Sequence, residues 1–295
     1  MNMKRVTALT AAVVFLLLLS GCGGQAAPER PAQPAEPMLP VRTETEDKPQ
    51  LLPEQVIYDS NGIRITVKGM EENTMAGTRI RVLVENGTEH NIAFSGDLFV
   101  VNGVTLPGYL YAETAAGMKS NDAIELYSDT LETAGILQVG TVRGADTRIV
   151  DTDSYETLAK VPFSLETAYA QSLSYRPDET GMELFRAEEI TVTAQMISEE
   201  FYGRTARLLV RNDSDEDIIV EAENISVNGY TVDAWLYDVV CGETVRYCQL
   251  DLFETALAEN GIDRIETITF HLNILDAEDY ETIARSELLT VEVQG

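Results

Sequence analysis

Apolar and polar residues alternate through most of the chain beyond residue 56. Ile63, Ile65 and Val67 are separated by polar residues, as are Ile190 and Val192. Ile80, Val82 and Val84 alternate with Arg79, Arg81 and Glu85, and Ile268, Phe270, Leu272 and Ile274 keep period two over a longer run. Successive side chains of a strand point to opposite faces, so this pattern predicts half-buried strands. The segments VVNGVT and SVNGYT place Asn-Gly between apolar runs. That pair suits the type I′ hairpin turn, whose two central residues both need positive φ. One short helix is expected in each half, over 128–134 and 253–260, stopped by Gly135 and Gly261.

The pattern repeats. A shift of 126 sets 77–111 on 203–237, with twelve identities in thirty-five positions: Gly77, Arg81, Leu83, Val84, Asn86, Ile92, Val101, Asn102, Gly103, Thr105, Leu110 and Tyr111. Gly135-Ile136 matches Gly261-Ile262, and Tyr155-Glu156-Thr157 matches Tyr280-Glu281-Thr282 at a shift of 125. Two domains follow, 56–168 and 184–295, joined by a linker at 169–183 that contains the polar run SYRPDETG. Some seven short strands per 110 residues predict a mainly β fold of two tandem immunoglobulin-like β-sandwiches, each with one short helix. Another small antiparallel barrel is compatible with the same periodicity.

Ahead of the repeats the character changes. Lys4 and Arg5 precede an apolar run from Val6 to Leu19, of signal-peptide length and short for a membrane span. Leu19-Ser20-Gly21-Cys22 follows. In that position the four residues resemble the lipobox of bacterial lipoproteins. The resemblance implies a signal peptide over 1–21, diacylglyceryl transfer to the Cys22 thiol, cleavage before it and acylation of the new N-terminus. Two or three acyl chains hold a protein stably on a membrane. Seven of the ten prolines fall within 28–53, so 22–55 is expected to be a disordered, extended tether. The order N-x-S/T, Ile, V-N-G and a helix ending in Gly-Ile is in turn similar to repeated domains of bacterial surface lipoproteins, which resemble secreted antigens of immunoglobulin-like fold. These motifs are turns, and no functional residue comes with them.

Charge narrows the partners. With 21 Lys and Arg against 49 Asp and Glu, the formal charge is −28, which disfavours nucleic acid. Residues 57–168 carry 8 basic and 16 acidic residues, and 184–295 carry 7 and 24. The run Asp213-Ser214-Asp215-Glu216-Asp217, followed by Glu221 and Glu223, offers hard oxygen ligands of the kind Ca²⁺ takes, although the spacing is not that of an EF-hand. A solvated, self-repelling surface explains the same residues.

Catalysis has no recognisable motif. There is no Gly-x-Ser-x-Gly, His-Glu-x-x-His or phosphate loop, and the two histidines, His90 and His271, fall in a turn and a strand. Trp235 and Tyr237 align with Tyr109 and Tyr111, two apart on a strand, and are expected to be core aromatics. Exposed, the same rings would suit sugar or peptide. Cys241 and Cys248 occur in the second copy only and either bond across a turn or remain free. The expectation is a non-catalytic protein, lipid-anchored on the extracytoplasmic face of the cell membrane, that binds an envelope protein, a cell-wall polymer or an extracellular ligand. An accessory or substrate-capturing subunit of an envelope enzyme or transporter is the alternative.

Overall fold

The computed structural model describes residues 51–74, 77–200 and 203–293. The signal peptide, Cys22 and the tether up to residue 50 lie outside the described residues. The last tether residues do not belong to a tether: Leu52 is 1% exposed in the first core, and Ala168 donates its N–H to the Leu51 carbonyl. Leu51 and Leu52 are an apolar pair at the end of a polar stretch, and burying them starts the fold earlier than proline content suggests.

The first repeat holds β1 (Gln55–Ser60), β2 (Ile63–Thr74), β3 (Gly77–Asn86), β4 (Ile92–Val101), β5 (Val104–Thr114), β6 (Lys119–Tyr127), α1 (Ser128–Thr133), β7 (Thr141–Gly144), β8 (Arg148–Asp151), β9 (Thr157–Lys160) and β10 (Phe163–Glu166). The second holds β11 (Met182–Ala187), β12 (Ile190–Glu200), β13 (Gly203–Asn212), β14 (Ile218–Val227), β15 (Tyr230–Thr231), β16 (Ala234–Trp235), β17 (Tyr237–Val240), β18 (Thr244–Phe253), α2 (Glu254–Glu259), β19 (Thr267–Asp276), β20 (Thr282–Arg285) and β21 (Leu289–Glu292). The helices begin at residues 128 and 254, the same 126-residue shift as the sequence identities. Both end at a glycine with positive φ, Gly135 at 67° and Gly261 at 65°.

The fold is mainly β, with the strands in a 15-stranded and a 6-stranded sheet arranged in a sandwich-like way. The alternation does the building. Ile63, Ile65, Val67, Ile80, Val82 and Val84 turn inward on β2 and β3, and Ile268, Phe270, Leu272 and Ile274 turn inward on β19. The Asn-Gly pairs form the expected turns, with φ of 52° and 83° at Asn102-Gly103 and 51° and 84° at Asn228-Gly229.

The identical asparagines of the two copies are structural. Buried Asn86 donates to the carbonyls of His90, Thr114 and Ala115, while its Oδ1 accepts from the Thr88 N–H and hydroxyl. Asn212 makes the same set to Glu216, Val240, Cys241 and Ser214. Asn102 and Asn228 each accept two backbone N–H groups at the start of β7 or β19. A buried amide satisfied at both ends fixes a loop that apolar contacts alone would leave free.

The repeats are joined more closely than a polar linker suggests. Val104 of β5 pairs in parallel with Val245 of β18, which merges strands of both repeats into the larger sheet. Leu209 and Val245 of the second repeat sit in the core of the first. A smaller cluster, Leu98, Val100 and Cys241, spans the junction. At its centre Thr244 donates to the Cys241 carbonyl, Thr105 therefore donates to Thr244, and the Cys241 N–H donates to Thr105. The linker is held too: the Tyr175 hydroxyl donates to the Ala134 carbonyl, and the Asp178 N–H donates to the Tyr247 hydroxyl.

Candidate functional site

Trp235 and Tyr237 are on the surface, which corrects the expectation that they are core aromatics. Trp235 is 59% and Tyr237 39% exposed, and their counterparts Tyr109 and Tyr111 are 50% and 41% exposed. The cause lies in the residue between. Leu236 and Leu110 are 3% and 2% exposed, and a strand that turns every second residue inward leaves their neighbours outward. The strand also changes sheets here. Ala234 and Trp235 pair with β18, and Tyr237 to Val240 pair with β14. β5 makes the same switch without breaking: Gly108 and Tyr109 pair with β6, and the rest pairs with β4.

The two rings stand side by side, centroids 6.0 Å apart and planes tilted by 34°. They line a cleft of about 460 Å³ between the repeats, together with Pro107 of β5 and Asp129 of α1. An ion pair between Arg246 and Asp238 lines it; these side chains are 14% and 17% exposed, and Arg246 also donates to the Val239 carbonyl. Tyr247 lines it as well, under the Arg207 guanidinium 5.4 Å from the ring centroid. Burial raises the Tyr247 phenol above its usual range, so its proton stays on. Tyr237 also faces a second, larger inter-repeat cleft of about 690 Å³, lined by carboxylates that include Asp97, Asp146, Asp215 and Glu278.

The Ca²⁺ ligand set does not assemble. Asp217 accepts from the Gly242 N–H, Glu221 from the Asn273 amide, Glu223 pairs with Arg285 and Asp213 with Arg211. Among the described residues no three His, Cys, Asp or Glu side chains converge to hold a metal ion. Asp213, Asp215 and Asp217 sit on a turn and Glu221 and Glu223 on β14, where the partnered carboxylates serve separate neighbours.

The cysteines are both free and both buried, which settles the open choice against a Cys241–Cys248 bond. Cys241 belongs to the junction cluster and Cys248 to the second core, so their sulfurs serve different packing groups. Burial pushes the Cys241 thiol up to about 11 and Cys248 well above its ordinary value. Of the histidines, His90 is exposed with Nδ1 3.3 Å from the Asp151 carboxylate, and His271 Nδ1 lies 3.2 Å from the Ser286 carbonyl. The Asp151 carboxyl is held low chiefly by the backbone N–H groups of Ser154 and Asp153, a turn arrangement.

Sequence reasoning missed the cleft. Trp235 and Tyr237 could be singled out from the repeat, but Arg246 reaches them only through the pairing of β16 with β18, and Pro107 and Asp129 only through the docking of one repeat on the other. The one signal available was Leu110 and Leu236 themselves, an aliphatic residue between two aromatic ones in both copies, which period two sets on the opposite face from its neighbours.

No protein-family model and no curated protein matches the sequence. Among solved structures the chain is similar to a conserved domain protein from Bacillus anthracis, at 8% identity and a TM-score of 0.27, over 86% of this chain and 94% of that one. Among the described residues no helix is long and apolar enough to cross a membrane.

Proposed function

We propose that this chain is a lipid-anchored, non-catalytic binding protein of the cell surface, made of two tandem immunoglobulin-like repeats on a proline-rich tether. Its binding site is the inter-repeat cleft, and its ligand is an envelope protein, a cell-wall polymer or an extracellular molecule. The observation that carries this is the exposed Trp235–Tyr237 pair. Two large rings left side by side in water beside a cleft are what a recognition surface offers, since Trp and Tyr give much contact area for little lost side-chain freedom. The order of charged residues, apolar run and Leu-Ser-Gly-Cys22 supports the anchor. The absence of a recognisable catalytic motif in the sequence supports a binding role. The test is photo-cross-linking in intact cells from a reactive group placed at Gln249, which is exposed at the cleft. One envelope component should be captured, and the double substitution Trp235→Ala, Tyr237→Ala should abolish the capture. Capture that survives both substitutions would place the partner elsewhere and sink the assignment.

A further inference from the structure

We infer that the ligand of this cleft is a linear, neutral polysaccharide, its sugar rings stacked along the track Trp235, Tyr237, Pro107, Tyr109 and Tyr111. The inference rests on the cleft being the binding site.

The track follows from strand geometry. On β5 the outward residues Pro107, Tyr109 and Tyr111 alternate with buried Leu106, Gly108 and Leu110. Outward neighbours on a strand are about 6.6 Å apart, so Pro107 to Tyr111 spans about 13 Å. Pro107 at one end of this row lines the same cleft as Trp235 and Tyr237. The exposed rings of the two repeats are therefore parts of one path, open along β5 and walled where it enters the cleft.

The chemistry selects the occupant. The face of an aromatic ring carries partial negative charge and the C–H groups of a pyranose face carry partial positive charge, so the two stack. Polar groups stand beside the rings for the hydroxyls: the Asp129 and Asp251 carboxylates, the Gln249 amide and the Arg246–Asp238 pair. These groups donate and accept at close quarters, as a ring of hydroxyls requires. Three carboxylates against one guanidinium at the cleft, on a chain of formal charge −28, repel phosphate- or uronate-bearing polymers. A peptide added as an extra strand needs a free strand edge. The track instead lies on the outer face of β5, which pairs with β4 along most of its length and with β6 at Gly108 and Tyr109, so stacking on its rings uses a strand face and not an edge.

Trp235 is the one tryptophan of the chain, so its emission reports on the cleft directly. The purified protein is titrated with di- to hexasaccharides of β-1,4-glucose, β-1,3-glucose, β-1,4-xylose, β-1,4-mannose and β-1,4-N-acetylglucosamine, and with oligogalacturonate and a proline-rich peptide as contrasts. Calorimetry serves the Trp235→Ala variant. At least one neutral series should change the emission saturably, with affinity rising with chain length, and oligogalacturonate should not. Tyr237→Ala should weaken every member of that series about tenfold. Tyr109→Ala with Tyr111→Ala should weaken the hexasaccharide by a similar factor and leave the disaccharide unchanged, with the melting temperature kept as the control for folding. Silence from all five neutral series overturns the inference. If the peptide alone changes the emission, the ligand class is wrong while the cleft stands as the site. Equal affinity for short and long chains, unmoved by the β5 substitutions, overturns the track.

Discussion

At the scale of single residues, the asparagines that the two copies share hold turns. Asn86 and Asn212 are nearly inaccessible, and each satisfies three carbonyls with one amide. Replacing either with Ala removes three hydrogen bonds to carbonyls and the amide oxygen that accepts from the Thr88 or Ser214 N–H, at a cost of about 1–3 kcal/mol. Denaturant unfolding should show the loss in both variants, and a midpoint unchanged in either would remove the structural role argued for the pair. The thiols make the opposite kind of statement. Alkylation needs thiolate and access, and Cys241 is 1% exposed with its pKa raised by burial to about 11. Native protein at pH 8 should leave Cys241 and Cys248 unlabelled, with both reacting once denaturant is added. A reductant should leave the melting temperature where it was, because no bond joins them.

At the scale of elements, the acidic turn between β13 and β14 gives a clear expectation. Its carboxylates are engaged with Gly242, Arg211 and other separate partners, so divalent ions act on it only through screening. Millimolar Ca²⁺ should raise the melting temperature no more than Mg²⁺ at matched ionic strength, and a Ca²⁺-selective rise would restore a metal site. Elements specified by local rules were legible in the sequence. α1, α2 and the Asn102-Gly103 and Asn228-Gly229 turns fall where periodicity, a stopping glycine and the φ requirement put them. The division of one strand into β15, β16 and β17 was not, because it depends on which sheet each residue can reach. The same holds for the site. Trp235 and Tyr237 were found, but their exposure turns on Leu236 taking the inward place, and part of the cleft lining comes from a different repeat. Leu83 and Leu209 make the point with a single pair: identical in sequence, the first is half-buried and the second is 3% exposed under the neighbouring repeat.

At the scale of the whole molecule, the described residues of both repeats belong to a single compact unit. Calorimetry should therefore record one unfolding transition, not two. Thr105→Val should lower it by about 1–3 kcal/mol by leaving the buried Cys241 N–H without an acceptor. Two resolved transitions would mean that the junction contributes little. The anchor has its own test: Cys22→Ala should move the protein from the membrane fraction to the soluble one, and equal retention would reject lipidation at that residue. The interlocking of Leu209 and Val245 with the first core bears also on how the chain is made. Synthesis proceeds from the N-terminus at roughly 5–20 residues per second, so after Glu166 closes the last strand of the first repeat, Val245 arrives on the order of 10 s later. Through that interval the nascent first repeat carries an open apolar seat waiting for the second. Timely delivery of the downstream chain, or a chaperone resting on that seat, is then a condition of its maturation.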